Sequence, residues 1–202
     1  PLVEKMAQIA TAFAGEAPAS MDISVRGEIS ELDSSILATS ALKGALVACG
    51  VNDVTYVNAP ALAAERGLTS AVTTDPESPE YRNMISLRAA LADGKFVTVD
   101  GTLVGIRKDE KIIAIDSFDL DLAPTENLLF LRYVDKPGVV GAVGNALGKA
   151  GINIAGMQVA RSSAGGSALM AITVDSQISD DLLSTVKKET GAELVRSVTL
   201  VG

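Results

Sequence analysis

The 202-residue sequence contains no histidine, no tryptophan and a single cysteine. Histidine is the commonest general base and metal ligand in proteins, so its absence removes the most frequent route to acid–base catalysis or a metal site. One cysteine cannot build a disulfide framework, a zinc site or an iron–sulfur site within one chain. Cys49 falls on the apolar stripe of a predicted helix, and we interpret it as a buried small hydrophobic residue.

Positive charge is scarce as well. Lysine and arginine number 17 against 25 acidic residues, which gives a formal net charge of −8 and a pI of about 4.6. Such a chain has no basic face for a polyanion, so we expect no nucleic-acid partner. The sequence displays neither a secretory signal nor an apolar run long enough to span a bilayer, and we expect a cytoplasmic protein without a membrane partner.

Nucleotide-binding and catalytic motifs are missing too. Glycines 138, 141, 144 and 148 are spaced by threes and a four, whereas a dinucleotide-binding turn needs G-x-G-x-x-G and a P-loop needs four residues between its glycines. We interpret these glycines as small residues that let a helix approach its sheet closely. No paired carboxylates or activated nucleophile stand out, so we predict no catalytic residue, no metal and no cofactor in this chain.

What is present is a clear order of elements of the α+β class. Residues 1–123 read as a first domain of mixed helix and antiparallel sheet, beginning with an amphipathic helix over 2–14. Pro124 and Thr125 form a short linker. Residues 126–202 follow the order strand, helix, strand, strand, helix, strand, with a turn at 163–166 between the middle strands. This order predicts a ferredoxin-like βαββαβ domain.

One bend in the second domain carries the strongest chemical signal. An apolar strand over 128–134 is stopped by Asp135 and the following Pro-Gly, and a helix begins there. The free N–H groups of a helix start suit a carboxylate, while the Asp135 carboxylate suits an ammonium group. We expect the returning strand to bring the amide of Asn153 close to the same patch. The bend thus predicts an amino-acid site, with the alternative that Asp135 merely caps the helix.

The same residues carry a resemblance to a known family. Residues 127–202 resemble an ACT domain through Tyr133-Val134-Asp135-Lys136-Pro137-Gly138-Val139-Val140 and Gly151-Ile152-Asn153-Ile154. Upstream, two segments resemble the intervening domain of long-form D-3-phosphoglycerate dehydrogenases: Ser24-Val25-Arg26-Gly27-Glu28 and Val57-Asn58-Ala59-Pro60-Ala61-Leu62-Ala63. The pairing of the two, in this order, is more specific than an ACT motif alone.

The resemblance implies a regulatory role in serine biosynthesis. It implies that L-serine, the feedback inhibitor, binds between the ACT domains of two subunits, with Asp135 and Asn153 on the ammonium and the N–H groups near Gly138 and Val139 on the carboxylate. Tyr133 matches a further ligand position, where some relatives have histidine. The resemblance also implies a homodimer through the ACT domains, a higher homo-oligomer with the catalytic domain, and NAD bound by that domain outside this chain.

For the first domain the resemblance implies an anion or substrate-phosphate site. The candidates are Arg26, Arg107, Lys108 and Lys111, and Arg26 stands beside Gly27, where a backbone could approach a ligand. Family members often add basic residues near the last strand of this domain, whereas residues 119–123 here contain none. Two alternatives stay open: a ligand-free oligomerisation module, and the regulatory end of an iron–sulfur L-serine dehydratase.

Overall fold

The computed structural model describes residues 1–78, 80–163 and 165–201. The chain divides into two compact units, the first comprising Pro1–Asp116 together with Val201, and the second comprising Ser117–Leu200. The domain bounds predicted from the sequence, 1–123 and 126–202, stay a prediction. No helix in the described part of the chain is long and apolar enough to cross a membrane.

The first unit contains three helices. α1 spans Leu2–Ala14, α2 spans Ser35–Ala48 and α3 spans Ala59–Glu65, and a short 3-10 helix occupies Glu28–Glu31. The predicted bounds of α1 are confirmed: its apolar residues recur with helical spacing, and Gly15 ends it with φ 77°. Both α1 and α2 contribute side chains to the core of this unit.

Five strands of the first unit lie in the order β2-β1-β3-β4-β5. Their bounds are β1 Ser20–Gly27, β2 Thr69–Asp75, β3 Asn83–Ala90, β4 Phe96–Val104 and β5 Asp109–Ile115. All neighbouring pairs are antiparallel except β1 and β2, which are parallel. The strand pattern of the sequence predicts only antiparallel sheet for this domain, so the parallel pair is a finding of the structure. The connection between the two strands contains α2 and α3, and such a helical crossover returns the chain to the end of the sheet at which it started.

The second unit has the βαββαβ arrangement that the sequence predicts, so the α+β fold class is confirmed. After β6 (Phe118–Leu122) come β7 Asn127–Val134, α4 Val139–Lys149, β8 Ile154–Arg161, β9 Ser167–Val174, α5 Asp180–Thr190 and β10 Leu194–Thr199. The sheet order is β10-β7-β9-β8, which leaves β8 at one edge. The predicted cap of α5 is also confirmed, since Ser179 Oγ accepts a hydrogen bond from the Leu182 N–H at 3.3 Å.

Two interpretations of small residues are wrong. A Cβ atom added at Gly141, Gly144 or Gly148 meets nothing within 4 Å, so these glycines do not bring α4 close to its sheet. Cys49 is exposed, because it follows the last residue of α2 and lies beyond the buried part of that helix. The predicted turn at 163–166 includes Ala164, which lies outside the described residues.

Candidate functional site

The bend between β7 and α4 is open to solvent. The Asp135 N–H donates a hydrogen bond to the Gly166 carbonyl oxygen at 2.8 Å. The residues that follow are exposed, and Gly138, which has a φ of 93°, comes directly before the helix. Gly138 occupies the N-cap position and no side chain caps the helix. The alternative that Asp135 merely caps α4 is therefore wrong. The bend therefore contains both the Asp135 carboxylate and the first N–H groups of α4, and the carboxylate does not cap these groups.

Asp135 contacts Arg161, a residue that no motif in the sequence indicates. Its Oδ2 lies 3.3 Å from Nε of Arg161, and the two side chains are 15% and 60% exposed, respectively. Arg161 ends β8, in the register row that joins Tyr133, Ala168 and Arg161 across three strands. No local sequence signal links positions 135 and 161, because the contact depends on β8 lying two strands away from β7.

Tyr133 is the third member of the cluster that Asp135 and Arg161 form. The residue is only 2% exposed and belongs to the core of the second unit. Burial raises the pKa of Tyr133 above its ordinary value of 10.0, the Asp135 carboxylate raises this pKa further, and the Arg161 guanidinium lowers it. The phenol, the carboxylate and the guanidinium therefore act on one another electrostatically.

The titration of Tyr133 provides a test of this cluster. In a chain with Tyr56 and Tyr81 replaced by phenylalanine, we expect Asp135→Asn to lower the Tyr133 pKa and Arg161→Gln to raise it, as followed by phenolate absorbance. Because the folded pKa lies above the unfolded value, the folded chain holds its proton longer, and the free energy of unfolding should fall as pH rises above 10. An identical titration in all three chains would contradict the cluster.

Asn153 lies at the other end of the sheet. Ile154, the residue after it, is level with Val174 and Asn127, whereas the bend follows Val134. The length of β7, roughly 23 Å at the usual rise per residue, therefore separates Asn153 from Asp135 within one chain. The expectation that the returning strand brings them together is wrong, because a helical crossover returns the chain to the end where β7 begins. Asn153 itself is exposed, and its N–H donates to Asp175 Oδ1 at 3.1 Å.

The four candidate anion-binding residues of the first unit are spread out. Arg107 and Lys108 are exposed in the turn between β4 and β5, and Lys111 is half-buried on β5. Arg26 is on β1, which is three strands away from β5, or about 14 Å at the usual strand spacing. The fold therefore does not gather the four residues into one site.

The charged neighbours of Arg26 are acidic residues of the protein itself. The register partner of Arg26 on β2 is Asp75. A second carboxyl, Asp100, has its pKa raised by burial, and a Ser86 hydrogen bond and the Arg26 charge partly offset this rise. Next to Arg26, Gly27 has φ 89°, and a Cβ there would lie 2.1 Å from the Arg82 carbonyl oxygen. Gly27 thus allows two backbone segments to meet, and the close approach suggested for a ligand is made by the protein itself.

A cavity of about 860 Å³ also lies in the first unit. Its walls are mostly apolar and include residues of α1, α2 and the turn between β4 and β5. Lys108 lines it, as does Arg82, whose Nη2 lies 2.8 Å from Glu28 Oε2 in an exposed ion pair. None of the predicted serine-site residues belongs to this cavity.

Comparison with known proteins assigns both halves of the chain. The family described as "D-3-phosphoglycerate dehydrogenase intervening domain" matches residues 1–116, and the ACT domain family matches residues 127–191. The chain belongs to the D-3-phosphoglycerate dehydrogenase family. The first match ends at the residue where the first compact unit ends, and the second includes the bend at Asp135 as well as Asn153 and Arg161.

Curated relatives in the D-3-phosphoglycerate dehydrogenase family align over nearly the whole chain. The D-3-phosphoglycerate dehydrogenase of Mycobacterium leprae is 38% identical over 98% of this chain, and that of Synechocystis is 31% identical over 98%. The Bacillus subtilis enzyme is 34% identical over 89%. The alignments cover only 38%, 36% and 33% of these relatives, so the chain spans little more than a third of their length.

Proposed function

We propose that this chain is the regulatory part of a D-3-phosphoglycerate dehydrogenase and that its ACT domain binds L-serine as a feedback inhibitor. The observation that carries the proposal is the open bend, where a largely buried carboxylate stands beside an uncapped helix start. Asp135 suits the ammonium of an amino acid, and the N–H groups of Gly138 and Val139 suit its carboxylate. Tyr133 is only 2% exposed, so its part in the proposal is to act electrostatically on the Asp135 carboxylate rather than to bind the ligand.

The position of Asn153 supports a site shared between two copies. β8 is an edge strand, and edge strands offer unpaired backbone groups to another chain. If two β8 strands pair antiparallel over their full length about a twofold axis, Ile154 of one copy lies opposite Arg161 of the other. Asn153 of the second copy then reaches the end of β8 where Arg161 contacts Asp135. The two sheets join side by side as eight strands, and each site draws Asp135 and Asn153 from different copies.

Such a site explains how binding can regulate. A ligand held by two copies stabilises their pairing, and it shifts any coupled arrangement by its differential affinity for the two states, typically 1–3 kcal/mol. The whole protein, by its family, would oxidise 3-phosphoglycerate with NAD at the start of serine synthesis. NAD would be held outside this chain, because the glycines at 141, 144 and 148 lie inside α4 instead of in a strand–helix turn.

Calorimetric titration with L-serine tests the proposal. We expect binding to the unmodified chain, a loss of affinity of about 100-fold in Asp135→Ala and a loss of about tenfold in Asn153→Ala. Asp181→Ala and Asn145→Ala are matched controls on exposed helix positions of the same unit and should bind normally. Absence of heat at millimolar serine in the unmodified chain would contradict the proposal.

The two alternatives have separate signatures. A ligand-free oligomerisation module would keep the same sedimentation and the same thermal midpoint with and without serine, whereas a serine-binding chain gains stability by mass action. An L-serine dehydratase would need several cysteines for its iron–sulfur core, and with one cysteine in this chain that core would have to lie outside it. The relatives described above are named as dehydrogenases of phosphoglycerate, which favours our proposal over the dehydratase.

A further inference from the structure

Arg161 stands at the charged centre of the proposed serine site. Its Nε lies 3.3 Å from Asp135 Oδ2, so the carboxylate that is to receive an ammonium already has a cation beside it. The ammonium of an amino acid can bind this carboxylate only if the Arg161 guanidinium shares the carboxylate or moves away from it. The role of Arg161 therefore determines which ligands the bend accepts.

The fold allows Arg161 to move. It is the last residue of an edge strand and its side chain is 60% exposed, whereas the Asp135 side chain is only 15% exposed. The guanidinium is exposed enough for water to solvate it once it leaves Asp135, so its release costs less than that of a fully buried cation.

We propose that Arg161 is an exchange residue of the serine site: it neutralises Asp135 when the site is empty and turns to the ligand's carboxylate when the ligand's ammonium takes Asp135. This inference rests on the proposed function. A zwitterion leaves every charge with an opposite partner, because it brings one cation and one anion to an existing ion pair. An amine without a carboxylate leaves two cations beside one carboxylate, and the site rejects it.

The proposal differs from a purely structural role in the direction of its effects. If Arg161 only held Asp135 in position, Arg161→Gln would weaken the binding of every ammonium ligand by the same factor. An exchange residue instead binds serine and repels an amine. Its removal should therefore weaken L-serine and strengthen ethanolamine, which keeps the ammonium and the hydroxyl and lacks the carboxylate.

Calorimetric titrations of L-serine and ethanolamine test the proposal, with ethanolamine measured by competition against serine. In Arg161→Gln we expect serine affinity to fall about tenfold and ethanolamine affinity to rise about threefold. Arg161→Lys keeps the charge and should keep most of the preference for serine. Lys188→Gln removes an exposed charge of the same unit on α5 and should change neither affinity.

The possible results separate the inference from the proposed function. Unchanged affinities in Arg161→Gln, or equal losses for both ligands, would overturn the exchange role and leave serine binding intact. Absence of serine binding in the unmodified chain would overturn both. A circular-dichroism spectrum and a thermal midpoint matching the unmodified chain verify that Arg161→Gln is folded.

Discussion

A Gly44→Ala chain should be about 3 kcal/mol less stable than the unmodified chain, with a thermal midpoint on the order of 10 °C lower. Gly44 is buried in α2 where this helix crosses α1. A Cβ atom there would lie 2.3 Å from the Glu4 carbonyl oxygen and 2.9 Å from the Ala7 Cβ. Both neighbours belong to α1, so the two helices must separate. Scanning calorimetry measures the effect.

The matched control is the same substitution in α4. Gly144 is a mid-helix glycine whose added Cβ meets nothing within 4 Å, so Gly144→Ala gains helix propensity without a clash. We expect it to stabilise the chain by about 0.5–1 kcal/mol. If Gly44→Ala proved as stable as Gly144→Ala, the close packing of α1 on α2 would be wrong.

Replacing Glu4 by alanine should cost about 3–5 kcal/mol. Glu4 is 3% exposed, its Oε1 contacts Nζ of Lys43, and its Oε2 accepts a hydrogen bond from the Tyr56 hydroxyl at 2.7 Å. The Lys43 ammonium also lies 4.9 Å from the centre of the Tyr56 ring. Loss of the carboxylate therefore leaves a largely buried ammonium without its anion and a phenol without its acceptor.

Two comparisons make this second prediction specific. Glu28→Ala removes an ion pair to Arg82 whose side chains are 63% and 79% exposed, and it should cost less than 1 kcal/mol in urea denaturation. Glu4→Ala combined with Lys43→Ala should cost clearly less than the sum of the single changes. The hydrogen bond to Glu4 also raises the pKa of Tyr56, so this pKa should fall in Glu4→Ala. Additive single effects would contradict the buried pair.

Local patterns in the sequence were sufficient to predict most elements. The apolar spacing and Gly15 fix the bounds of α1, and Ser179 marks the start of α5. The alternation of strands and helices from residue 127 onward predicts the βαββαβ order. The bend at Asp135 was also predictable, because a strand, a Pro-Gly pair and a helix start are adjacent in the chain.

Features that depend on contacts between distant elements were not predictable. Arg161 meets Asp135 only because β9 lies between β7 and β8 in the sheet. The placement of Asn153 beside the bend is a different kind of error, because the predicted strand–helix–strand order already implies a crossover that returns the chain to the end of the sheet where β7 begins. The α4 glycines form a repeated pattern but touch nothing, whereas Gly44, which belongs to no such pattern, packs directly against α1.

The claim on which the account depends is that each serine site draws Asp135 from one copy and Asn153 from another. Two differently tagged chains, Asp135→Ala and Asn153→Ala, can be co-expressed and their mixed pairs purified through both tags. A mixed pair holds one site with both residues intact and one with neither. We expect mixed pairs to bind one L-serine per two chains with the affinity of the unmodified protein, although neither variant binds so tightly alone. Mixed pairs that bind no better than the separate variants would contradict it.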